Sequence, residues 1–104
     1  MSKYSVSELW NERYGKAEEI ADYSGRTMKK SACGNPNSSF EPTIDHIRPL
    51  SAGGKDVKQN IEICNYETNA EKGDHYPHWT TNNRRFHVEK TKGVSNGYTI
   101  VEDL

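Results

Sequence analysis

Apolar residues are scarce in this chain: 32% of its 104 residues are hydrophobic, against 28% charged. No run approaches the length a membrane-crossing helix needs, so none is expected. A chain this short and lean buries a modest core and is only marginally stabilised by burial alone, so a bound ion or a partner would help to hold it together. Aromatic residues recur along the whole length, which argues against disorder. A basic excess is missing too. The formal net charge is −1, so contact with phosphate has to come from local clusters, of which Arg26, Lys29 and Lys30 form one and Arg84 and Arg85 another. Cysteine is limited to Cys33 and Cys64, far apart and in no Cys-x-x-Cys pair. That disfavours the usual structural zinc knuckle, and two free buried thiols are expected rather than a disulfide. The opening MSKYSVSELW has no apolar signal-peptide core, so a cytoplasmic location is expected. Repeats, low-complexity tracts and linkers are absent, and one domain over residues 1–104 is expected.

The patterns present begin with a helical one over residues 5–22, with Ser7 as a cap and Gly15 as a break or kink. Arg26 to Ala32 reads as a short strand, and Gly34 to Ser39 as a loop. Thr43 to Arg48 is rich in β-branched residues and reads as a strand ended by Pro49. A loop around Gly53-Gly54 leads to a second strand, Ile61 to Cys64, which pairs with the first as an antiparallel hairpin. Asn65 caps a short helix, Tyr66 to Lys72, which Gly73 stops. Pro77 interrupts the segment beyond it. Arg85 to Thr91 and Tyr98 to Glu102 form a hairpin turning at Ser95-Asn96-Gly97. The fold class is α+β.

The stretch from Asp45 to Asp74 carries the chemistry. His46, Asn60 and Asn69 lie fourteen and nine residues apart on a strand, loop, strand, helix unit. Phosphodiester hydrolysis needs an activated water, a cation against the phosphate charge and a stabilised leaving oxygen. His46 is a plausible base, because neutral imidazole is available near pH 7. Asp45 offers hard oxygens suited to Mg²⁺, and the Asn69 amide offers another. Isolated, each of these residues would read as an ordinary surface or loop side chain; the joint spacing carries the weight.

Asp45-His46-Ile47, Pro49, Gly53-Gly54, Asn60 and the run Asn69-Ala70-Glu71-Lys72-Gly73-Asp74 resemble the HNH endonuclease family, with Asn in the third signature position. The resemblance is strong over about a third of the chain. It implies a ββα-metal finger over about 43–74, between an N-terminal helix and a C-terminal β-hairpin. It implies a nuclease acting on nucleic acid, DNA before RNA, that uses a divalent ion, Mg²⁺ first and Mn²⁺ as another choice. It assigns His46 as general base, Asp45 and Asn69 as ion ligands, and Asn60 as a brace bonding backbone across the loop. The expected products carry 5′-phosphate and 3′-hydroxyl ends. Lys72 is a secondary choice for stabilising developing charge or contacting phosphate, and Arg48 is another phosphate contact.

Some relatives place a further histidine ligand one turn after Asn69, but Gly73 stands there, and His75 and His78 are poor substitutes. His87 is expected on the surface, and Trp10, Tyr14, Tyr76 and Trp79 in the core rather than against bases. Two other functions compete with the nuclease: a module that binds nucleic acid or protein without turnover, and a nuclease of phage packaging or defence that depends on a protein partner. Oligomeric state is not legible.

Overall fold

A computed structural model describes residues 2–104. The first helix, α1, covers Val6–Tyr14 only. Its cap is Ser5, whose Oγ accepts from the Glu8 N–H, and not Ser7. Gly15, at φ +60°, ends it with an N–H bond to the Asn11 carbonyl. The helical reading of residues 16–22 is therefore corrected. Glu19–Ala21 is a strand, β1, paired antiparallel with β2, Thr27–Lys29. Ile20 lies opposite Met28 there, and burying that pair against the core outweighs the helical periodicity of the isolated segment. The strand expected at residues 26–32 shrinks to β2, and Lys30–Ala32 is a 3₁₀ turn.

Pro42–His46 forms β3 and Ile61–Asn65 forms β4, antiparallel, with Ile44 opposite Ile63, Asp45 opposite Glu62 and His46 opposite Ile61. Alternation along a pleated strand sends neighbouring side chains to opposite faces. The face bearing Ile44, Ile61 and Ile63 packs on Leu9 and Trp10 of α1 and on Met28 of β2. Each large apolar side chain buried there contributes roughly 1.5–3 kcal/mol. The face bearing Thr43 and Asp45 receives α2, Tyr66–Lys72. Asn65 caps α2 by accepting from the Glu67 N–H at 2.9 Å, and Gly73 closes it.

A three-stranded sheet completes the fold: β5 (His78–Thr81), β6 (Arg84–Lys90) and β7 (Tyr98–Glu102), in that order. The expected hairpin is its β6–β7 half. Strand β5 was not legible behind Pro77, although a signal was present. Asn82 and Asn83 both have positive φ, the geometry of a tight two-residue hairpin turn that asparagine tolerates. Tyr23, Trp79 and Phe86 form a second aromatic core, with Tyr23 edge-on to Phe86 at 4.9 Å. Both cysteines are free. The small α+β architecture with a strand–strand–helix finger is the one the sequence implied, and no described helix is long and apolar enough to cross a membrane.

Candidate active site

The loop between β3 and β4 is built around Asn60. This side chain is completely buried. Its Oδ1 accepts from the Arg48 N–H at 2.9 Å, and its Nδ2 donates to the carbonyls of Arg48 at 3.1 Å and Lys55 at 2.8 Å. Its own carbonyl accepts from the Ile47 N–H at 2.8 Å. The two residues after His46 are thus clamped to the start of β4. Gly54 makes the clamp possible, because a Cβ there would lie 1.8 Å from the Arg48 carbonyl oxygen.

Asp45 and His46 leave β3 toward opposite faces, and β3 ends at His46. Asp45 is 6% exposed and faces α2. Lys72, with no exposed surface, brings its ammonium to 3.3 Å from Asp45 Oδ1 and 3.2 Å from Oδ2, and donates to the His46 carbonyl at 3.1 Å. The Trp79 ring covers that ammonium at 5.0 Å from its centroid. Burial pushes the Asp45 carboxyl above its ordinary value, and the Lys72 ammonium opposes the shift. Lys72 therefore has no surface to offer a phosphate. The expectation of a phosphate contact is corrected: apolar packing under Trp79 and the charge of Asp45 draw the ammonium inward.

Asn69, half-buried on the same face of α2, donates its Nδ2 to Thr43 Oγ1 at 3.0 Å and to the Ile44 carbonyl at 3.2 Å. Its amide oxygen is thereby the atom left for a cation. Asp45 Oδ2 is buried and receives no hydrogen bond of acceptable geometry, even with Lys72 beside it. An orphaned carboxylate oxygen and an amide oxygen are hard donors that fit a divalent ion retaining most of its water. Among the described residues no three His, Cys, Asp or Glu side chains converge as a closed cage.

On the opposite face His46 meets a residue that no motif singles out. Its Nε2 lies 2.8 Å from Asp56 Oδ1. Asp56 also accepts from Ser2 Oγ and from the Lys3 N–H, each at 2.7 Å. These bonds hold its carboxyl far below the usual carboxylate range, the Lys3 backbone contributing most. A loop aspartate ten residues from His46 has no local signature, so only the closure of the loop reveals it.

Arg48 donates Nε to the Ala52 carbonyl at 2.8 Å and Nη1 to the Tyr98 hydroxyl at 3.0 Å, so it ties the loop to β7. His75 donates Nδ1–H to the Lys72 carbonyl at 2.8 Å, at the C-terminus of α2. His78 and His87 face each other across β5 and β6, and His87 lies at the surface, as expected, paired there with Glu89 and Asp103. Each basic cluster gives one arginine to an internal pair. Arg26 pairs with Glu71 at 2.8 Å and Arg84 with Glu102 at 2.7 Å.

A model of the HNH endonuclease family matches residues 22–78, more than half of the chain. The chain belongs to the HNH endonuclease family. No curated protein and no solved structure matches it. The matched span includes β2 through α2 and reaches the start of β5, so Asp45, His46, Asn60, Asn69 and Lys72 of this HNH protein all lie within it. HNH nucleases generally use a divalent metal and act on nucleic acid.

Proposed function

We propose that this HNH protein is a divalent-metal-dependent endonuclease that hydrolyses phosphodiester bonds in DNA, with residues 1–104 acting as one domain and 43–74 as its finger. The observation that carries this reading is the end of β3. Asp45, with its orphaned buried oxygen, and His46 are consecutive residues there, and Asn60 locks the chain immediately beyond them. For one phosphate to be served by both it would lie across that strand end, beside His46, with Asp45 acting through the ion it would hold.

In this reading His46 takes the proton from the attacking water. Asp45 and the Asn69 amide oxygen would hold the ion. The chemistry such an ion, Mg²⁺ or Mn²⁺, would supply there is charge to offset the phosphate and to steady the leaving 3′ oxygen. Asn60 touches no reacting atom and keeps the strand end rigid. Lys72 compensates the Asp45 charge from within.

Plasmid nicking in Mg²⁺ or Mn²⁺ tests the assignment. His46→Ala is expected to lower kcat by about 10²- to 10⁴-fold, and Asp45→Asn to abolish Mn²⁺ binding measured by calorimetry. Undiminished cutting by purified His46→Ala would sink the mechanism.

One observation favours a second reading, a nucleic-acid-binding module without turnover. The Lys72 ammonium already stands on Asp45 at 3.2 Å, where a ligand carboxylate would have to meet an ion. Tight DNA binding with no cleavage in any divalent ion decides for that reading.

A further inference from the structure

The His46 imidazole has two nitrogens, and a base must present the one without a proton. Asp56 engages Nε2 at 2.8 Å. Among the described residues no hydrogen bond engages Nδ1. An ionised carboxylate only accepts hydrogen bonds, so the proton on this contact belongs to the imidazole Nε2. Asp56 is itself fixed by donors from a segment more than fifty residues away in the chain: the Ser2 hydroxyl on the same Oδ1 and the Lys3 N–H on Oδ2. Ser2 Oγ also accepts from the Tyr4 N–H at 3.1 Å, and Tyr4 packs on the core cluster of α1. The strap is therefore anchored at both ends.

We propose that Asp56 is the positioning residue of the His46 base, and that the strap of Ser2 and Lys3 holds Asp56 in place. In the neutral ring Asp56 selects the Nε2–H tautomer and leaves the Nδ1 lone pair as the proton acceptor. Three donors on one carboxylate also deny it the freedom to swing toward solvent, so the ring angle is fixed through a chain of bonds and not by packing alone. This inference rests on His46 being the base. It adds which nitrogen acts and brings residues outside the family's matched span into the active site.

The test is a tautomer measurement on the full-length chain without metal, by long-range ¹H–¹⁵N spectra of the imidazoles, together with steady-state nicking in Mn²⁺. Wild type is expected to show His46 as the Nε2–H form. Asp56→Asn, whose amide offers both a donor and an acceptor, is expected to mix the tautomers. It should lower kcat by about tenfold or more with KM for DNA unchanged, because Asp56 touches no substrate. Lys3→Pro removes the backbone donor, with Lys3→Ala as the control for the lost side chain, and is expected to move both readouts in the same direction by less. An Nδ1–H tautomer in wild type overturns the proposal, as does an Asp56→Asn protein with wild-type kcat. Should Asp56→Asn not fold, the wild-type spectrum and Lys3→Pro decide. Undiminished nicking by His46→Ala is a different failure. It removes the base assignment, while the wild-type tautomer still reports whether Asp56 orients the ring.

Discussion

The ammonium of Lys72 sits 3.2 Å from Asp45 Oδ2 beneath the Trp79 ring, and Lys72 has no exposed surface. Two opposite charges in the interior are tolerated because each compensates the other, and removing one leaves the second uncompensated. Lys72→Met is expected to destabilise the protein by about 3–5 kcal/mol, read by urea denaturation. Adding Asp45→Asn to it should recover part of the loss. Mn²⁺ should raise the melting temperature of Lys72→Met by more than that of wild type, since the ion then has Asp45 to itself.

A second buried carboxylate, Asp22, joins the β1–β2 turn to the finger. It accepts from the Ser24 N–H and hydroxyl and the Arg26 N–H through Oδ1, and from the Asn65 N–H and Thr68 hydroxyl through Oδ2. No Cys-x-x-Cys pair exists to supply a metal at this junction, and hydrogen bonds hold it instead. Asp22→Ala strands several buried donors and is expected to cost at least about 3 kcal/mol. Chemical denaturation checks the value.

The adjacent glycines of the loop differ in their reasons. Gly53 has φ +91°, a region costly to other residues, and a Cβ would meet the Arg48 guanidinium at 3.3 Å, a flexible neighbour. Gly54 has ordinary φ but would place its Cβ against the Arg48 backbone. Gly53→Ala is expected to cost about 1–2 kcal/mol. Gly54→Ala should cost more and also reduce nicking, because the clamp of Asn60 on Arg48 cannot survive the displacement. Paired stability and activity assays separate the two.

Acid stability depends on Glu71. Its carboxyl is held down to about 2 by the Asn82 N–H, the Thr81 hydroxyl and Arg26. A depressed folded value means that the stabilisation is fully present above the ordinary 4.5 and is lost as pH falls toward 2. Glu71→Gln is expected to flatten the fall in stability across that window and to lower stability at neutral pH. Nearly half of the side chain is exposed, so the effect is modest. Melting temperatures at stepped pH report it.

Arg26 and Arg84 belong to the same internal network. Arg26 also donates to Thr68 and Thr81, and Arg84 to the Ser24 carbonyl at 2.8 Å. Replacing either with Ala is expected to lower the melting temperature while leaving the salt slope of DNA binding unchanged, because neither guanidinium is free for phosphate. A change in that slope of about one would return them to the interface.

The finger is written in local sequence. Asn65 and Gly73 bound α2, β-branched Thr43 and Ile44 favour β3, and the spacing of Asp45, His46, Asn60 and Asn69 names the family, because caps, strand propensity and motif spacing are local properties of the chain. Closure of the fold settled the other features. It turned residues 19–21 into a strand, since Ile20 gains more from facing Met28 than from continuing α1. It drew Lys72 inward and Arg26 and Arg84 into pairs, since charge finds its partner only once distant segments meet. It brought Ser2, Lys3 and Asp56 behind His46, a meeting of residues more than fifty positions apart that no local pattern encodes.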